Sequence, residues 1–494
     1  MFEGWAIATL AVSYVGGLFL IAWIGDRTRL DGRARPLIYS LSLAVYCTSW
    51  TFFGSVGLAA ETGYDFIPVY LGPILLFLFG QPLLTRIVRL SKSQNITSVA
   101  DFLAARYGKS PAVAAIVTVV AVVGTLPYIA LQLKAVVIST ETLLGGSPLM
   151  PISLPAIGFL ETALVVAIAL SVFAILFGTR HIDATEHQAG LMLAVAAESL
   201  VKLAAFIGVG LFVMFWIFGG PTGLAESLRA NTAIRATFER PFNGGTWLTV
   251  TLLSFVAILL LPRQFHVTVV ENHSEREMKR ARWIFPAYLV TINLFVVPIA
   301  AAGLMILPRG FVEPDMYVLA LPMAKGADAL STLVFIGGLS AATAMVVVES
   351  VALSIMVCNG LVVPLLLHRR LLDVDKREDL AGLLLIIRRF AIVAVVLGGY
   401  VVYHALGESQ GLAAIGLVSF AAIAQLAPAF FGGLLWRRGT ARGAIAGILA
   451  GFAIWAYTLL LPWIVKAGLL SADITNFGPF GLAIFRPQAL FYLS

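Results

Sequence analysis

The sequence predicts an all-α membrane protein that crosses the bilayer many times. Of its 494 residues, 60% are hydrophobic and only 12% are charged, whereas about 25% of the residues in a soluble domain are charged. The apolar residues form long continuous runs, unlike the short alternating segments of a membrane β-barrel. The net charge of +7 is therefore a matter of membrane topology, and we expect no nucleic-acid partner.

Windows of about 20 apolar residues define twelve predicted membrane spans. They cover 4–25, 37–62, 66–88, 111–140, 156–178, 188–217, 246–270, 283–307, 330–366, 384–405, 411–435 and 443–465. With the N-terminus outside, most of the 33 Lys and Arg residues fall in the inner loops. This bias predicts that orientation, because cytoplasmic loops carry the positive charge.

The predicted transmembrane domain covers 1–466, and residues 467–494 form an outer tail. The end of this tail, Phe485–Tyr492, has the composition of a segment leading into another helix. We therefore expect the chain to be a fragment of a longer protein with a thirteenth span. The long outer segments 219–246 and 308–328 are candidates for gating helices.

Nothing in the sequence indicates an enzyme or a metal centre. Cys47 and Cys358 both lie in apolar segments and suggest neither a disulfide nor a metal site. The absence of a ring of charged pore residues makes a channel a poorer hypothesis than a carrier.

The stretch Tyr46–Gly57 is unusual for the middle of a membrane span. It carries hydroxyls, a thiol, an indole and two glycines, and polar groups at this depth face protein or a water-filled cavity. If the glycines let the helix unwind, free backbone groups can bind a solute or a cation. The alternative is a small-residue surface for helix packing.

The ninth span offers a second group of candidates. Ser340 and Thr343 are three residues apart, so both hydroxyls lie on one helix face, where they can bind Na⁺ or bond back to their own helix. Glu349 is a carboxylate at membrane depth, either a proton-coupling group or the partner of Lys134, Lys202 or Arg263.

Two further spans carry polar residues. In the seventh span Pro262 interrupts the helix beside Gln264, so the second and seventh spans are both interrupted and lie five spans apart. Interruptions at matching positions of two halves indicate a transporter site. In the sixth span Glu198 and Lys202 are i, i+4 neighbours, and we expect them to pair with each other.

Four motifs resemble those of the solute:sodium symporter family. Thr97–Gly108 resembles an inner loop of that family, and Thr185–Gly190 resembles the start of a core helix with Glu186 in place of Asp. Gln264–His266 is similar to a motif of a broken core helix. Ala427–Arg438 with Gly443 and Ala444 is similar to the tenth core helix and its loop.

The resemblance implies a LeuT-type fold of two inverted five-helix repeats, about 37–217 and 246–435, with extra flanking helices. It implies a Na⁺ site made by Ala44, Cys47, Ser340, Thr343 and Ala344, and a solute site made by Tyr46, Thr48, Ser49, Trp50 and Gln264. Ala344 stands where a second hydroxyl is usual, and Tyr46 stands where some members carry an acidic residue. These departures favour H⁺ as the coupling ion, with Glu349 and Glu186 as possible proton carriers, or no coupling ion.

The segments Tyr46–Gly57 and Leu261–Asn272 and the Val348–Ser350 triplet resemble a subgroup of this family. In that subgroup the transporter-like region is the input domain of a bacterial sensor histidine kinase controlling carbon and nitrogen use. The resemblance implies a bacterial inner membrane, an amino acid such as histidine as solute, and a kinase region and response regulator as partners.

Two functions follow from these expectations. The first is ion-coupled symport of a small polar solute by alternating access, with Na⁺ or H⁺ and no other cofactor. The second is a receptor that binds the solute and signals to a kinase without transporting it.

Overall fold

The structure is a computed structural model of a helical bundle. It describes residues 4–27, 34–144, 161–178, 188–307, 310, 312–369, 377–406, 411–466, 470–471, 473–477 and 487. Within these residues every regular element is a helix. The all-α, polytopic fold predicted from the sequence is confirmed.

Eight continuous helical segments are long and apolar enough to cross a membrane. They are Gly4–Arg27, Pro111–Leu143, Ala189–Ile217, Glu275–Ile306, Asp328–His368, Gly382–Ala405, Leu412–Leu435 and Ala441–Lys466. Three more are pairs of helices bent at a short break, namely Arg35–Tyr46 with Trp50–Thr62, Pro68–Phe79 with Gln81–Ser93, and Gly244–Leu260 with Pro262–Val270. A shorter apolar helix, Thr162–Leu176, lies at the predicted fifth span.

The first broken helix, Arg35–Tyr46 with Trp50–Thr62, bends by 65°. Its chain becomes extended at Cys47 (φ −80°, ψ 94°), and the Thr48 hydroxyl accepts from the amide of Trp50, so Thr48 begins the second half. The break precedes both glycines of the Tyr46–Gly57 stretch, so our explanation that the glycines unwind the helix is wrong. Gly57 instead provides close approach, because a Cβ there would overlap the Asp315 carboxylate.

The second broken helix, Gly244–Leu260 with Pro262–Val270, bends by 58°. Leu261 leaves helical geometry (φ −59°, ψ 128°), and Pro262 begins the next turn, as expected for a residue without an amide hydrogen. A π-helical stretch follows each break, at Trp50–Gly54 and at His266–Val270. Such stretches are frequent at functional sites.

The third predicted span is not a straight helix. It bends by 78° between Phe79 and Gln81, around Gly80, where a Cβ would press on the Leu76 carbonyl. The segments expected to form gating helices contain the helices Pro221–Ala230, Thr232–Phe238 and Tyr317–Ala324.

Glycines set the contact between the first broken helix and the helix Asp328–Val357. The Phe52 ring lies against Gly337 and the Phe53 ring against Gly338, where any side chain would collide with them. The two rings meet edge-on, 4.9 Å apart. This is the small-residue packing expected between membrane helices, so the stretch has packing contacts as well as polar groups.

Gly72 allows the helix Pro68–Phe79 to approach the second broken helix closely. We expect Gly72→Val to disrupt that contact. A Cβ there would overlap the Ser254 hydroxyl and the Phe255 amide, and overpacking of this kind costs about 1–3 kcal/mol or more. The yield of monodisperse protein in size-exclusion chromatography should fall strongly. Gly447→Val is the matched control, because its Cβ position has no neighbour within 4 Å; equal yields for both variants would contradict the prediction.

Candidate functional site

The break in the first broken helix leaves two carbonyl groups that face Lys202. Lys202 Nζ donates to the Ala44 carbonyl at 2.8 Å and to the Cys47 carbonyl at 2.7 Å. Lys202 lies on the helix Ala189–Leu211 and is completely buried. The sequence resemblance assigned these two carbonyls to Na⁺, and here a side-chain cation binds them.

The two hydroxyls assigned to Na⁺ also have partners in the protein. Ser340 Oγ donates to the Glu198 carbonyl at 2.8 Å. Thr343 Oγ1 lies within hydrogen-bond distance of the Glu198 carboxylate and of the Leu339 carbonyl. Ala344 is buried and contributes no hydroxyl. We call Ala44, Cys47, Glu198, Lys202, Ser340 and Thr343 the lysine–carbonyl site.

The expected direct pairing of Glu198 with Lys202 takes a different form. Each side chain makes its hydrogen bonds to another helix, Lys202 to the first broken helix and Glu198 to Thr343. Glu198 and Lys202 therefore link three helices, in addition to balancing each other's charge within their own helix. Because a buried charge without a partner is costly, these contacts join the three helices strongly.

A second group of buried polar residues lies where the two breaks approach each other. The Thr48 hydroxyl bonds to the Tyr128 hydroxyl at 2.9 Å, and the Ser49 amide donates to the Gln132 side chain at 3.1 Å. The Arg263 guanidinium stacks over the Tyr128 ring at 4.4 Å. We call Thr48, Ser49, Tyr128, Gln132, Arg263, Gln264 and Glu349 the central polar cluster.

Glu349 is the ion-pair partner of Arg263. Arg263 Nη1 lies 2.8 Å from Glu349 Oε2, and both side chains are fully buried. Lys134, Lys202 and Arg263 were the three partners considered for Glu349, and the structure pairs it with Arg263. The pair joins the second broken helix to the helix Asp328–Val357.

Several atoms of the central polar cluster have no hydrogen-bond partner within the described residues. They are Ser49 Oγ, Arg263 Nε and Nη2, both side-chain polar atoms of Gln264, and Glu349 Oε1. Nearly all buried polar groups in folded proteins are hydrogen-bonded. Unpaired groups at both helix breaks and on the facing helix therefore make the cluster a candidate site for a polar solute.

The expected solute residues divide into two groups. Ser49 and Gln264 have free polar atoms in the described structure. The other three are hydrogen-bonded to other helices: the Tyr46 hydroxyl donates to the Val69 carbonyl at 2.8 Å, the Trp50 indole donates to the Ala413 carbonyl at 2.9 Å, and the Thr48 hydroxyl bonds to the Tyr128 hydroxyl. Glu186 lies outside the described residues.

Sequence reasoning missed Tyr128 and Gln132 and assigned Lys202 a purely structural role. Gln132 could have been found from the sequence. It is a polar residue at the centre of a long apolar span, and Glu349 was identified as a candidate for that same reason. Tyr128 lies four residues earlier on the same helix face.

The segment before the ninth span packs against the second half of the first broken helix. Asp315 is buried, its carboxylate accepts from the Leu412 amide at 2.9 Å, and it packs on Gly57. Burial raises the pKa of the Asp315 carboxyl from 3.8 to about 6, against the lowering effect of the Leu412 amide. Glu313 and Glu61 also raise this pKa, and Lys134 lowers it.

We expect the segment Pro314–Ala324 to loosen as pH rises. A carboxyl whose pKa is raised in the folded state stabilises that state fully below its ordinary pKa and loses this effect as pH passes through about 6. Amide hydrogen exchange in this segment, corrected for intrinsic rates, should therefore show less protection at pH 7.5 than at pH 5. Asp315→Asn keeps an acceptor for Leu412 and should remove the difference; greater protection at pH 7.5 would reverse the assignment.

Comparison with known proteins identifies the fold. The sequence matches no family model and no curated protein. The structure is similar to a Na⁺-coupled sialic acid symporter in a substrate-bound outward-open state, with a TM-score of 0.62 at 15% identity over 100% of this chain and 98% of that one. It also aligns with the manganese transporter of Eremococcus coleocola, with a TM-score of 0.43 at 12% identity over 90% of this chain and 96% of that one. The chain is an all-helical, polytopic membrane protein with the fold of a Na⁺-coupled symporter.

Proposed function

We propose that the chain is a secondary active transporter of a small polar solute that works by alternating access. The observation that carries the proposal is the meeting of two helix breaks at a buried cluster with unpaired polar groups. Broken helices provide free backbone and side-chain groups for solute and ion in transporters of this type. The cluster is closed to solvent, so solute must enter through a movement of the surrounding helices.

We further propose that the coupling ion is H⁺. The Lys202 ammonium already binds the two carbonyls at which Na⁺ was expected, and Glu198 engages both hydroxyls of the ninth span. Loss of one proton from this pair to the inner side would remove the charge that holds the carbonyls. The contacts among the three helices would then weaken together. The bundle could then open toward the outer side of the membrane.

The finer parts of the proposal rest on the family resemblance. The solute is an amino acid such as histidine, and the chain belongs to the solute:sodium symporter family. It lies in a bacterial inner membrane with its N-terminus outside. It is the input module of a sensor histidine kinase, with the kinase region in the same polypeptide and a response regulator as partner. The alternative is a receptor that binds the same solute and does not transport it.

Uptake into proteoliposomes tests the proposal. Proteoliposomes that contain the purified protein should accumulate radiolabelled L-histidine under an inward H⁺ gradient. An inward Na⁺ gradient alone should have little effect on this accumulation. Dissipating the H⁺ gradient with a protonophore should remove the accumulation. Saturable binding of L-histidine without accumulation under either gradient would exclude transport and favour the receptor.

A further inference from the structure

The unpaired edge of Arg263 has a specific shape. Within the described residues its Nε and Nη2 atoms have no hydrogen-bond partner, while Nη1 binds Glu349 at 2.8 Å. Nε and Nη2 lie in the guanidinium plane, along one of its edges. They form the parallel pair of donors that binds a carboxylate with two hydrogen bonds.

The protein holds this edge firmly. The Arg263 Cζ atom lies over the Tyr128 ring, 4.4 Å from its centroid. Tyr128 is fixed in turn by its bond to Thr48 and by a stacked contact with Phe420, with ring centroids 5.8 Å apart. Arg263 Nη1 donates to Glu349 Oε2 at 2.8 Å. A planar donor pair held by these two contacts loses little conformational freedom when a ligand binds.

Burial makes the free edge a strong binding site. Arg263 is 0% exposed, and a buried charged donor without an acceptor carries a large desolvation penalty. An anionic group of the solute would relieve this penalty. Arg263 follows Leu261, the residue at which the second broken helix opens, so the edge lies among the groups proposed for the solute.

Glu349 adds a complementary feature. Its Oε1 atom has no hydrogen-bond partner within the described part of the chain, so the ion pair offers one free acceptor in addition to the two free donors. In their ordinary ionised forms, Arg263 and Glu349 carry one positive and one negative charge, which balance. A ligand that is itself neutral overall, with a carboxylate and an ammonium close together, preserves this balance.

We propose that Arg263 and Glu349 form the recognition site for an α-amino acid zwitterion. The Nε and Nη2 atoms of Arg263 bind the carboxylate of the solute, and Glu349 Oε1 accepts a hydrogen bond from its ammonium. This inference rests on the proposed function and specifies which end of the solute the central polar cluster recognises. Gln264 and Ser49 are left to contact the remainder of the molecule.

The test compares L-histidine with two analogues that each lack one group. Histamine lacks the carboxylate, and 3-(imidazol-4-yl)propionate lacks the ammonium. Equilibrium binding to the purified protein in detergent, by radioligand competition, should rank L-histidine at least tenfold tighter than either analogue. Binding is measured separately from uptake, so a protein that binds L-histidine in this way without transporting it sustains the inference while the transport proposal fails.

Two variants separate recognition from folding. Arg263→Lys keeps the charge and loses the paired donors; it should weaken L-histidine binding at least tenfold and leave histamine binding unchanged. The double variant Arg263→Gln/Glu349→Gln keeps a neutral, hydrogen-bonded pair, and it should bind L-histidine and histamine equally. Arg235→Lys, at an exposed pair with Glu239, is the matched control and should behave as wild type.

Three results would overturn the inference. The first is wild-type protein that binds histamine as tightly as L-histidine. The second is an Arg263→Lys variant that retains the full preference for the carboxylate. The third is wild-type protein that binds none of the twenty standard amino acids at millimolar concentration.

Discussion

Replacing Lys202 with alanine should lower H⁺-driven uptake at least tenfold and create a response to Na⁺. The substitution removes the cation from the Ala44 and Cys47 carbonyls. Each lost hydrogen bond to a charged group is worth about 1.5–3 kcal/mol, so uptake under an H⁺ gradient should fall at least tenfold. The space left beside two carbonyls, two hydroxyls and the Glu198 carboxylate offers Na⁺ an oxygen-rich site, and an inward Na⁺ gradient should restore part of the rate.

The measurement is the initial rate of L-histidine uptake under separately imposed gradients. Lys325→Ala is the control, because this substitution removes the same charge from the chain at an exposed position. If Lys202→Ala retained full H⁺-driven uptake and ignored Na⁺, Lys202 would have no part in coupling.

Breaking the Arg263–Glu349 pair should be the most destabilising single change in the central polar cluster. Glu349→Ala leaves the Arg263 charge fully buried without its counter-ion, and removing one partner of a buried pair costs about 3–5 kcal/mol. The midpoint of thermal unfolding in detergent should fall clearly below that of wild type.

A paired replacement distinguishes the lost counter-ion from lost packing. Arg263→Met/Glu349→Leu removes both charges, and apolar replacement of a whole buried pair is often neutral or stabilising. Its unfolding midpoint should return close to that of wild type. Glu239→Ala, at an exposed ion pair, should change stability by less than about 1 kcal/mol. A Glu349→Ala protein as stable as wild type would contradict this account.

The fold was largely predictable because membrane spans depend on local composition. Apolar windows placed a helix at each predicted position, and Pro262 located the second break because proline acts on its own helix. The bend at Gly80 was missed, although Gly80, Gln81 and Pro82 interrupt the apolar run and Pro82 lies in the first turn of the second half of that span.

The candidate site was predictable only in part, because its contacts join distant positions. The Tyr46–Gly57 stretch was recognised from polar groups at membrane depth, yet its break occurs at Cys47 rather than at the glycines. Helical spacing predicted that Lys202 pairs with Glu198. The hydrogen bonds of Lys202 instead reach residues 155 and 158 positions away in the sequence. Sequence spacing carries no information on a contact of that range.

The attachment of the Lys202 ammonium to the chain also affects how the site responds to salt. A free ion occupies its site according to its concentration outside the cell, whereas a tethered group has a fixed, high effective concentration beside its ligands. The two carbonyls of the first broken helix are therefore occupied equally in dilute and in saline surroundings for as long as Lys202 is protonated. These two contacts therefore do not depend on the external Na⁺ concentration, and under the proposed H⁺ coupling they respond to proton activity instead.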